Sequence, residues 1–348
     1  MENIGIDVHK TSSQVCILTA DGELIERRIK TTRDSFAQLL GARLPARILI
    51  EASTESEWVA QCLEGLGHEV IVADPNFAPM YATRDKRIKT DKRDARTLCE
   101  ACRLGAYRAA HRTSEKQRRV RAQISVREAL VRTRSRYISL IGALCRREGL
   151  RLPTGSPEAF ITRVEQEELP ECLRAEIEPL LRVMRTVNEQ IKQADRRLAE
   201  IVKTDQVVKR LCTAPGVGPV TAVTLAATLD DARRFSGAKQ VRCYLGLVPR
   251  EHSSGERQQR GKISKAGNKR ARSLLVEAAW TIMRSKKTKT EALREWAAKV
   301  AARRGKRIAA VALARRLAGI LYAMWRDETE YDPRLLGATE VGGHCMAA

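Results

Sequence analysis

Apolar and polar segments alternate through the first third of the chain in a way that predicts an α/β domain. Helical spacing of apolar residues predicts helices over residues 33–40, 56–66 and 90–104. The Asp21-Gly22 dipeptide predicts a hairpin between two strands. Five short apolar runs have the length and composition of strands: residues 4–7, 14–18, 24–29, 47–50 and 70–73.

This order, a hairpin sheet extended by further strands and covered by helices, predicts an RNase H-like domain over residues 1–112. Asp7 and Glu51 end two predicted strands, and Asp91 and Asp94 lie on one face of a predicted helix. We expect these four carboxylates to converge. Such a cluster is typical of a site for two hard divalent cations, Mg²⁺ or Mn²⁺, that promote phosphoryl transfer. The alternative is that acids at strand ends are ordinary surface residues.

The middle of the chain, residues 113–204, has the pattern of two long helices separated by a glycine- and proline-containing break at 149–157. Apolar residues recur every seven positions, which predicts an antiparallel helical coiled coil that either pairs subunits or serves as a spacer. These residues are Ile124, Val131, Ile138 and Cys145 in the first helix and Ile177, Met184, Ile191 and Leu198 in the second.

The last part, residues 205–330, is predicted to be mainly α-helical, with a loose tail at 331–348. Its helices are expected at 222–229, 271–283, 291–302 and 307–325. Gly216 and Gly218, in the segment APGVGPVTA, form a glycine turn that opens a helix, as in a helix-hairpin-helix element. Exposed backbone N–H groups in such a turn bind phosphate without reading base sequence. The alternative is a tight connection that binds no ligand.

Residues 245–268 form the segment richest in reactive side chains. Three serines, Ser253, Ser254 and Ser264, lie among basic residues that would hold a phosphate and stabilise developing negative charge. A serine hydroxyl becomes a good nucleophile only when a base or a cation activates it, so a basic loop that only binds phosphate is an equal alternative. The basic residues here and just beyond are Arg250, Arg257, Arg260, Lys262, Lys265, Lys269 and Arg270.

Charge indicates the class of partner. The 348 residues include 64 Lys and Arg against 42 acids, a net charge of +22, which favours nucleic acid. Aromatic residues make up only 4%, so we expect phosphate contacts rather than base stacking to dominate. The chain has no uninterrupted apolar run of about 18 residues and no N-terminal signal core. We therefore expect no membrane partner and a cytoplasmic protein, associated with the nucleoid when bound to DNA.

Several motifs resemble the DEDD transposases of bacterial insertion sequences. GIDVHK contains Asp7, ILIEAS contains Glu51 and KTDKRDARTL contains Asp91 and Asp94, while APGVGPVTA and LGLVPREHSSGERQQRGKISKAGNKRARSLL resemble that family's second domain. The resemblance implies a RuvC-like fold with the four acids as metal ligands. It also implies a serine nucleophile that forms a covalent phosphoserine link to DNA. Ser254 is the best match, with Ser253 second and Ser264 third.

The resemblance further implies DNA strand exchange between donor and target DNA, guided by a structured bridge RNA. It implies dimers that join into a tetramer, in which the serine and the acidic domain of different subunits meet. Glu256 departs from the family pattern, since many relatives have glycine there.

Three other functions fit part of the sequence. One is a metal-dependent, structure-selective nuclease of the Holliday-junction-resolvase type, and another is a non-catalytic nucleic-acid-binding protein. An actin-like sugar kinase is disfavoured because the first half lacks phosphate-loop glycines.

Overall fold

The computed structural model describes residues 1–81, 90–251 and 260–334. The chain divides into two compact units, of which the first is Met1–Thr113 and the second begins at Ser114. The first unit is a sheet with helices packed against it, and the second consists mainly of helices.

The first unit contains a five-stranded mixed sheet. Its strands are β1 (Asn3–Val8), β2 (Ser12–Leu18), β3 (Leu24–Lys30), β4 (Arg47–Glu51) and β5 (Glu69–Ala73). Their order across the sheet is β3-β2-β1-β4-β5. Strand β2 pairs antiparallel with both β1 and β3, and β4 pairs parallel with both β1 and β5. The five predicted strands and the hairpin are confirmed, and this strand order is consistent with an RNase H-like sheet.

The described residues of this unit also form three α-helices: α1 (Arg33–Leu40), α2 (Ser56–Gly65) and α3 (Asp91–Leu104). Each was predicted. The Thr90 hydroxyl accepts a hydrogen bond from the Arg93 backbone N–H at 3.3 Å and so caps the N-terminus of α3. Gly105 ends this helix in the left-handed conformation, with φ of 64°. Both ends of the helix that bears Asp91 and Asp94 are therefore fixed by local sequence.

The second unit begins with a pair of long helices, α4 (Glu115–Arg147) and α6 (Glu171–Thr204), with the short α5 (Phe160–Glu165) between them. Ile124 near the start of α4 belongs to the same apolar cluster as Leu198 near the end of α6. Ile141 near the end of α4 shares a cluster with Ile177 near the start of α6. The two helices therefore run antiparallel.

The apolar stripe of α6 is buried along its whole length, whereas that of α4 is interrupted by a charge. Val131 and Ile138 are only half-buried, while Arg134 between them is 7% exposed. The Arg134 guanidinium donates to Glu158 Oε1 at 2.9 Å and to Asn188 Oδ1 at 3.4 Å. A buried arginine with two partners thus lies midway along the helix pair.

In the parts of the second unit that the structure describes, six further α-helices and one small hairpin follow. The hairpin was not predicted, because its strands are short and polar. The helices are α7 (Gln206–Leu211), α8 (Pro219–Leu229), α9 (Ala238–Tyr244), α10 (Lys269–Arg284), α11 (Glu291–Arg304) and α12 (Lys306–Arg326), and the strands are β6 (Pro249–Glu251) and β7 (Arg260–Ile263).

Helix α12 is the central helix of this core. Leu313, Leu317 and Leu321 have no exposed surface, and the buried Tyr322 hydroxyl donates to the Phe235 carbonyl at 2.8 Å. Among the described residues it is the single helix long and apolar enough to cross a membrane, yet more than half of it is buried inside the unit. Tyr331, the first residue of the predicted tail, is also buried, and residues 335–348 lie outside the described residues.

Candidate functional site

Asp7 is positioned by the close approach of α3 to β1. Gly5 and Asp7 lie on the same face of β1, since successive strand residues alternate between faces. A Cβ atom at Gly5 would lie 2.1 Å from the Cys99 backbone nitrogen and 2.3 Å from the Ala95 carbonyl oxygen. Helix α3 therefore lies directly on this face, and its first turn is brought toward Asp7.

The four predicted acids come together in the first unit. Asp7, Glu51 and Asp94 line one cavity of about 430 Å³. Asp91 is joined to this group through His9, whose Nε2 lies 3.2 Å from Asp7 Oδ2 and 3.4 Å from Asp91 Oδ1. We call these four carboxylates, together with His9, the acidic centre.

The electrostatics of Asp7 reflect this crowding of negative charge. Burial raises the pKa of the Asp7 carboxyl, and the nearby Asp94, Asp91 and Glu51 carboxylates raise it further. His9 acts in the opposite direction and lowers this pKa. Like charges held close together in a partly buried site favour binding of a cation.

The glycine turn of the second unit lies between α7 and α8. Gly216 has φ of 73°, and a Cβ atom there would lie 2.7 Å from the Ala278 carbonyl oxygen in α10. Glycine is therefore required at this position for packing as well as for backbone conformation. Gly216 and Gly218 are both exposed, and Gly218 directly precedes the first residue of α8. An anion can reach this helix N-terminus.

Part of the predicted serine segment lies in the hairpin of β6 and β7. Ser253, Ser254 and Arg257 lie outside the described residues, as does the side chain of Arg260. Ser264 is described, and its Oγ is buried without a hydrogen-bond partner among the described residues. A buried hydroxyl cannot reach a phosphodiester, so this conformation does not favour Ser264 as the nucleophile.

The basic residues around this hairpin are largely accessible. Arg250, Lys262, Lys265 and Lys269 are exposed, and Arg270 is half-buried. The Arg250 guanidinium donates to the Ser264 carbonyl at 3.4 Å.

The base of the serine segment is fixed by Arg272 in α10. Its Nη1 donates to the carbonyls of Leu245 at 3.3 Å and Gly267 at 3.2 Å, and also to that of Ala266. Gly267 has φ of 67°, and a Cβ atom there would lie 2.1 Å from the Tyr244 carbonyl oxygen. The chain following β7 is thus packed tightly against the end of α9.

Comparison with known proteins agrees with these features. Residues 208–294 match the model described as the transposase IS116/IS110/IS902 family, and residues 4–146 match the DEDD transposase model of the IS110 type. A probable family 20 transposase of Pseudomonas aeruginosa is 32% identical over 342 residues, which cover 96% of this chain and 99% of the relative. The chain belongs to the IS116/IS110/IS902 transposase family.

Two other transposases of insertion sequences are similar along nearly their whole length. The transposase for element IS1111A of Coxiella burnetii is 29% identical and covers 94% of this chain and 90% of its own length. The transposase for element IS1328 of Yersinia enterocolitica is also 29% identical, over 94% of this chain and 98% of its own length. The family resemblance of the DEDD motifs and of the C-terminal segments is confirmed.

Two residues of the transposase site were not predicted from its sequence. His9 follows Asp7 by two positions and lies just beyond β1, so strand alternation could have indicated that both point to the same side. Tyr81 donates its hydroxyl to Glu51 Oε2 at 2.9 Å and also lines the cavity. It lies in a 3₁₀ turn after β5, and no sequence signal relates it to Glu51.

The acidic centre fits a divalent cation by its donor chemistry. Carboxylate oxygens are the ligands that Mg²⁺ and Mn²⁺ prefer, and four carboxylates in one place supply an excess of negative charge. Asp7, His9 and Asp91 each offer a ligand atom, and these three atoms lie within 4.8 Å of one another. The residues present are therefore compatible with the metal that the sequence predicts.

Proposed function

We propose that this transposase catalyses DNA strand exchange, with Asp7, Glu51, Asp91 and Asp94 as ligands of Mg²⁺ or Mn²⁺. The observation that carries the proposal is the grouping of these carboxylates: Asp7, Glu51 and Asp94 line one partly buried cavity, and Asp91 is joined to them through His9. Burial, and then the neighbouring acids, raise the pKa of Asp7. When bound, a divalent cation polarises the scissile phosphate and neutralises charge on the entering and leaving oxygens.

Ser254 is the proposed nucleophile. Its Oγ attacks a DNA phosphodiester, so that an Oγ–P bond forms and a P–O bond to deoxyribose breaks. The serine proton is released, and the departing deoxyribose oxygen is protonated to a hydroxyl. Support comes from the family motif around Ser254, from the exposed cations Arg250 and Lys262 in β6 and β7, and from the buried position of the competing Ser264 hydroxyl.

A bridge RNA is proposed to select the donor and target DNA by base pairing. The net charge of +22 and the scarcity of aromatic residues support a protein that contacts phosphates and leaves sequence reading to RNA. Nucleic-acid contacts are assigned to Gly216 and Gly218 and to the basic residues Arg250, Arg257, Arg260, Lys262, Lys265, Lys269 and Arg270.

The proposed domains follow one another along the chain in the same order as the family motifs. Residues 1–112 would be the catalytic RuvC-like domain, 113–204 a helical coiled-coil region and 205–330 the serine-bearing domain, with a helix-hairpin-helix element at α7 and α8. The compact unit Met1–Thr113 supports the first boundary, and the antiparallel pair of α4 and α6 supports the second region. We propose a homo-oligomer as the active form.

The decisive experiment is capture of a covalent protein–DNA adduct. Full-length protein is incubated with labelled element DNA, its bridge RNA and Mn²⁺, and the products are separated under denaturing conditions. We expect a labelled adduct in the wild type and in Ser264→Ala. It should be absent in Ser254→Ala and in Asp7→Asn. An adduct that persists in Ser254→Ala but disappears in Ser253→Ala or Ser264→Ala would reassign the nucleophile.

A metal-dependent, structure-selective nuclease is the second candidate. It is favoured by one observation, namely that the acidic centre is complete within Met1–Thr113 and does not depend on the serine segment. In that case DNA cleavage would require Asp7 and Mn²⁺, Ser254→Ala would cleave normally, and no adduct would form with any variant.

A further inference from the structure

Helices α9 and α12 meet at a position where α12 has no side chain. A Cβ atom at Gly319 would lie 2.3 Å from Arg242 Nη2 and 2.8 Å from Arg242 Nε. The Arg242 guanidinium therefore rests directly on the backbone of α12, and glycine at 319 provides the space. This contact holds a cation in a fixed, partly buried position.

Two more arginines lie on the same face of α12. Arg315 and Arg316 precede Gly319 by four and three residues, which places them one turn away on the side that meets Arg242. Both are half-buried. The Arg316 guanidinium also stacks over the Trp296 ring, with its carbon 4.9 Å from the ring centroid, so its direction is constrained by α11. Arg315 and Arg316 are both close enough to Arg242 to act on its guanidinium electrostatically.

The described residues do not balance this charge. Arg242 Nε is buried and has no hydrogen-bond partner among them. Burial lowers the pKa of the Arg242 guanidinium, and the like charges of Arg315 and Arg316 lower it further. A partly buried cation with an unmet N–H and two cationic neighbours costs free energy unless an anion completes the site.

We propose that Arg242, Arg315 and Arg316 form a phosphate-binding site that holds the sugar–phosphate backbone of a nucleic acid. The planar arginine fork donates two parallel hydrogen bonds to a phosphate, which suits groups whose orientation is fixed by Gly319 and Trp296. The site adds to the glycine turn and the serine segment, whose residues it does not share. Its assignment to nucleic acid rests on the proposed function.

The first test measures the anion site alone by thermal unfolding of full-length protein in chloride buffer with and without inorganic phosphate. The variant is Arg242→Met, which keeps the apolar stem and removes the charge. We expect Arg242→Met to unfold at a temperature no lower than wild type without phosphate, because an unbalanced buried charge is gone. Phosphate should raise the unfolding temperature of the wild type more than that of the variant.

The matched control is Arg303→Met, at an exposed arginine near the end of α11. It should respond to phosphate as the wild type does. If Arg242→Met lowers the unfolding temperature and leaves the phosphate response unchanged, Arg242 has only a packing role and the site is refuted.

The second test identifies the source of the phosphate by measuring affinity for a duplex DNA and, separately, for a structured RNA over a range of salt concentrations. Arg242→Met, which loses a charged contact, should bind about tenfold more weakly than the wild type. It should also reduce the slope of log affinity against log salt by about one for each phosphate released. A change with DNA only or RNA only assigns the site to that nucleic acid, and a change with both assigns a shared backbone contact.

Unchanged affinity and slope for both nucleic acids in Arg242→Met would overturn the proposal. That failure is distinguishable from failure of the proposed function, because the covalent adduct of Ser254 is measured independently. If the wild type forms the adduct but Arg242→Met binds nucleic acid as the wild type does, only the Arg242 site is refuted. The strand-exchange proposal then stands.

Discussion

Gly5 in β1 and Cys99 in α3 are in backbone contact, so that any side-chain atom at residue 5 would overlap the Cys99 amide nitrogen. This contact sets the distance between the strand that bears Asp7 and the helix that bears Asp91 and Asp94. The geometry of the acidic centre therefore depends on the absence of a side chain at a buried position that does not line the cavity.

Replacing Gly5 by alanine should disrupt both stability and the acidic centre. A Cβ atom 2.1 Å from a backbone nitrogen forces α3 away from the sheet, and overpacking of this kind costs about 1–3 kcal/mol of unfolding free energy, occasionally more. Chemical denaturation measures the loss. Gly65→Ala is the control, because its Cβ would meet no atom within 4 Å and should raise stability by up to about 1 kcal/mol. Equal stabilities of Gly5→Ala and wild type would contradict the role of this contact.

Replacing Asp7 by asparagine should separate metal binding from folding. The amide has nearly the same shape as the carboxyl but removes one of four charges that repel one another. We expect a higher unfolding temperature than wild type in the absence of metal, and loss of the stabilisation that Mn²⁺ gives to the wild type. Differential scanning calorimetry with and without Mn²⁺ measures both effects. Asp34→Asn, at an exposed acid in α1, should be stabilised by Mn²⁺ as much as the wild type is.

Glu26 should link the stability of the first unit to pH. It accepts hydrogen bonds from Arg96 Nη2 at 2.9 Å and forms an ion pair with Lys92 Nζ at 2.7 Å, which connects β3 to α3. The Arg96 hydrogen bond, followed by that of Lys92, holds the pKa of Glu26 below its ordinary value of 4.5. This stabilisation is therefore present above about pH 4.5 and is lost as pH falls through the lowered pKa.

The test is Glu26→Gln, which should be about 1 kcal/mol less stable than wild type at pH 7, since both cations are half-exposed. Unfolding curves at several pH values should show this difference closing below pH 4.5. Glu23→Gln, at an exposed acid just before β3, serves as the control. A difference that is independent of pH would mean that the ion pair does not stabilise the unit.

Arg272 should affect the serine chemistry more than it affects folding. Its guanidinium holds three carbonyls at the base of the segment that contains Ser254, so Arg272→Ala releases that base. We expect the yield of covalent adduct to fall at least about tenfold, while the unfolding temperature falls only modestly. Arg284→Ala removes an exposed arginine of the same helix whose hydrogen bond among the described residues is to the Trp280 carbonyl, and should retain the adduct. Parallel losses of adduct and stability would indicate a purely structural role.

The sequence was sufficient to predict the first unit because its rules are local. The signals used act within a few residues: the length of each apolar run, the Asp21-Gly22 turn and the Thr90 cap of α3. Because β1 and β4 are parallel neighbours, Asp7 and Glu51 then lie at the same edge of the sheet. The convergence of the acids followed from that topology.

Contacts between residues far apart in the chain could not be predicted from the sequence. The position of His9 beside Asp91 depends on how closely α3 packs on Gly5, and the meeting of Arg242 with Gly319 joins residues 77 positions apart. The hairpin of β6 and β7 escaped prediction because its short strands lack the apolar alternation that marks a strand.

The guanidinium of Arg134 in α4 pairs with Glu158 and with Asn188 of α6, and Arg127 of α4 pairs with Asp195 of α6, which has a mechanical consequence. Sliding one long helix along the other would break the contacts of these two arginines with Asn188 and Asp195, so the polar pairs favour the observed alignment. In this alignment the pair spans a constant length of about 50 Å, the length of the 33 residues of α4.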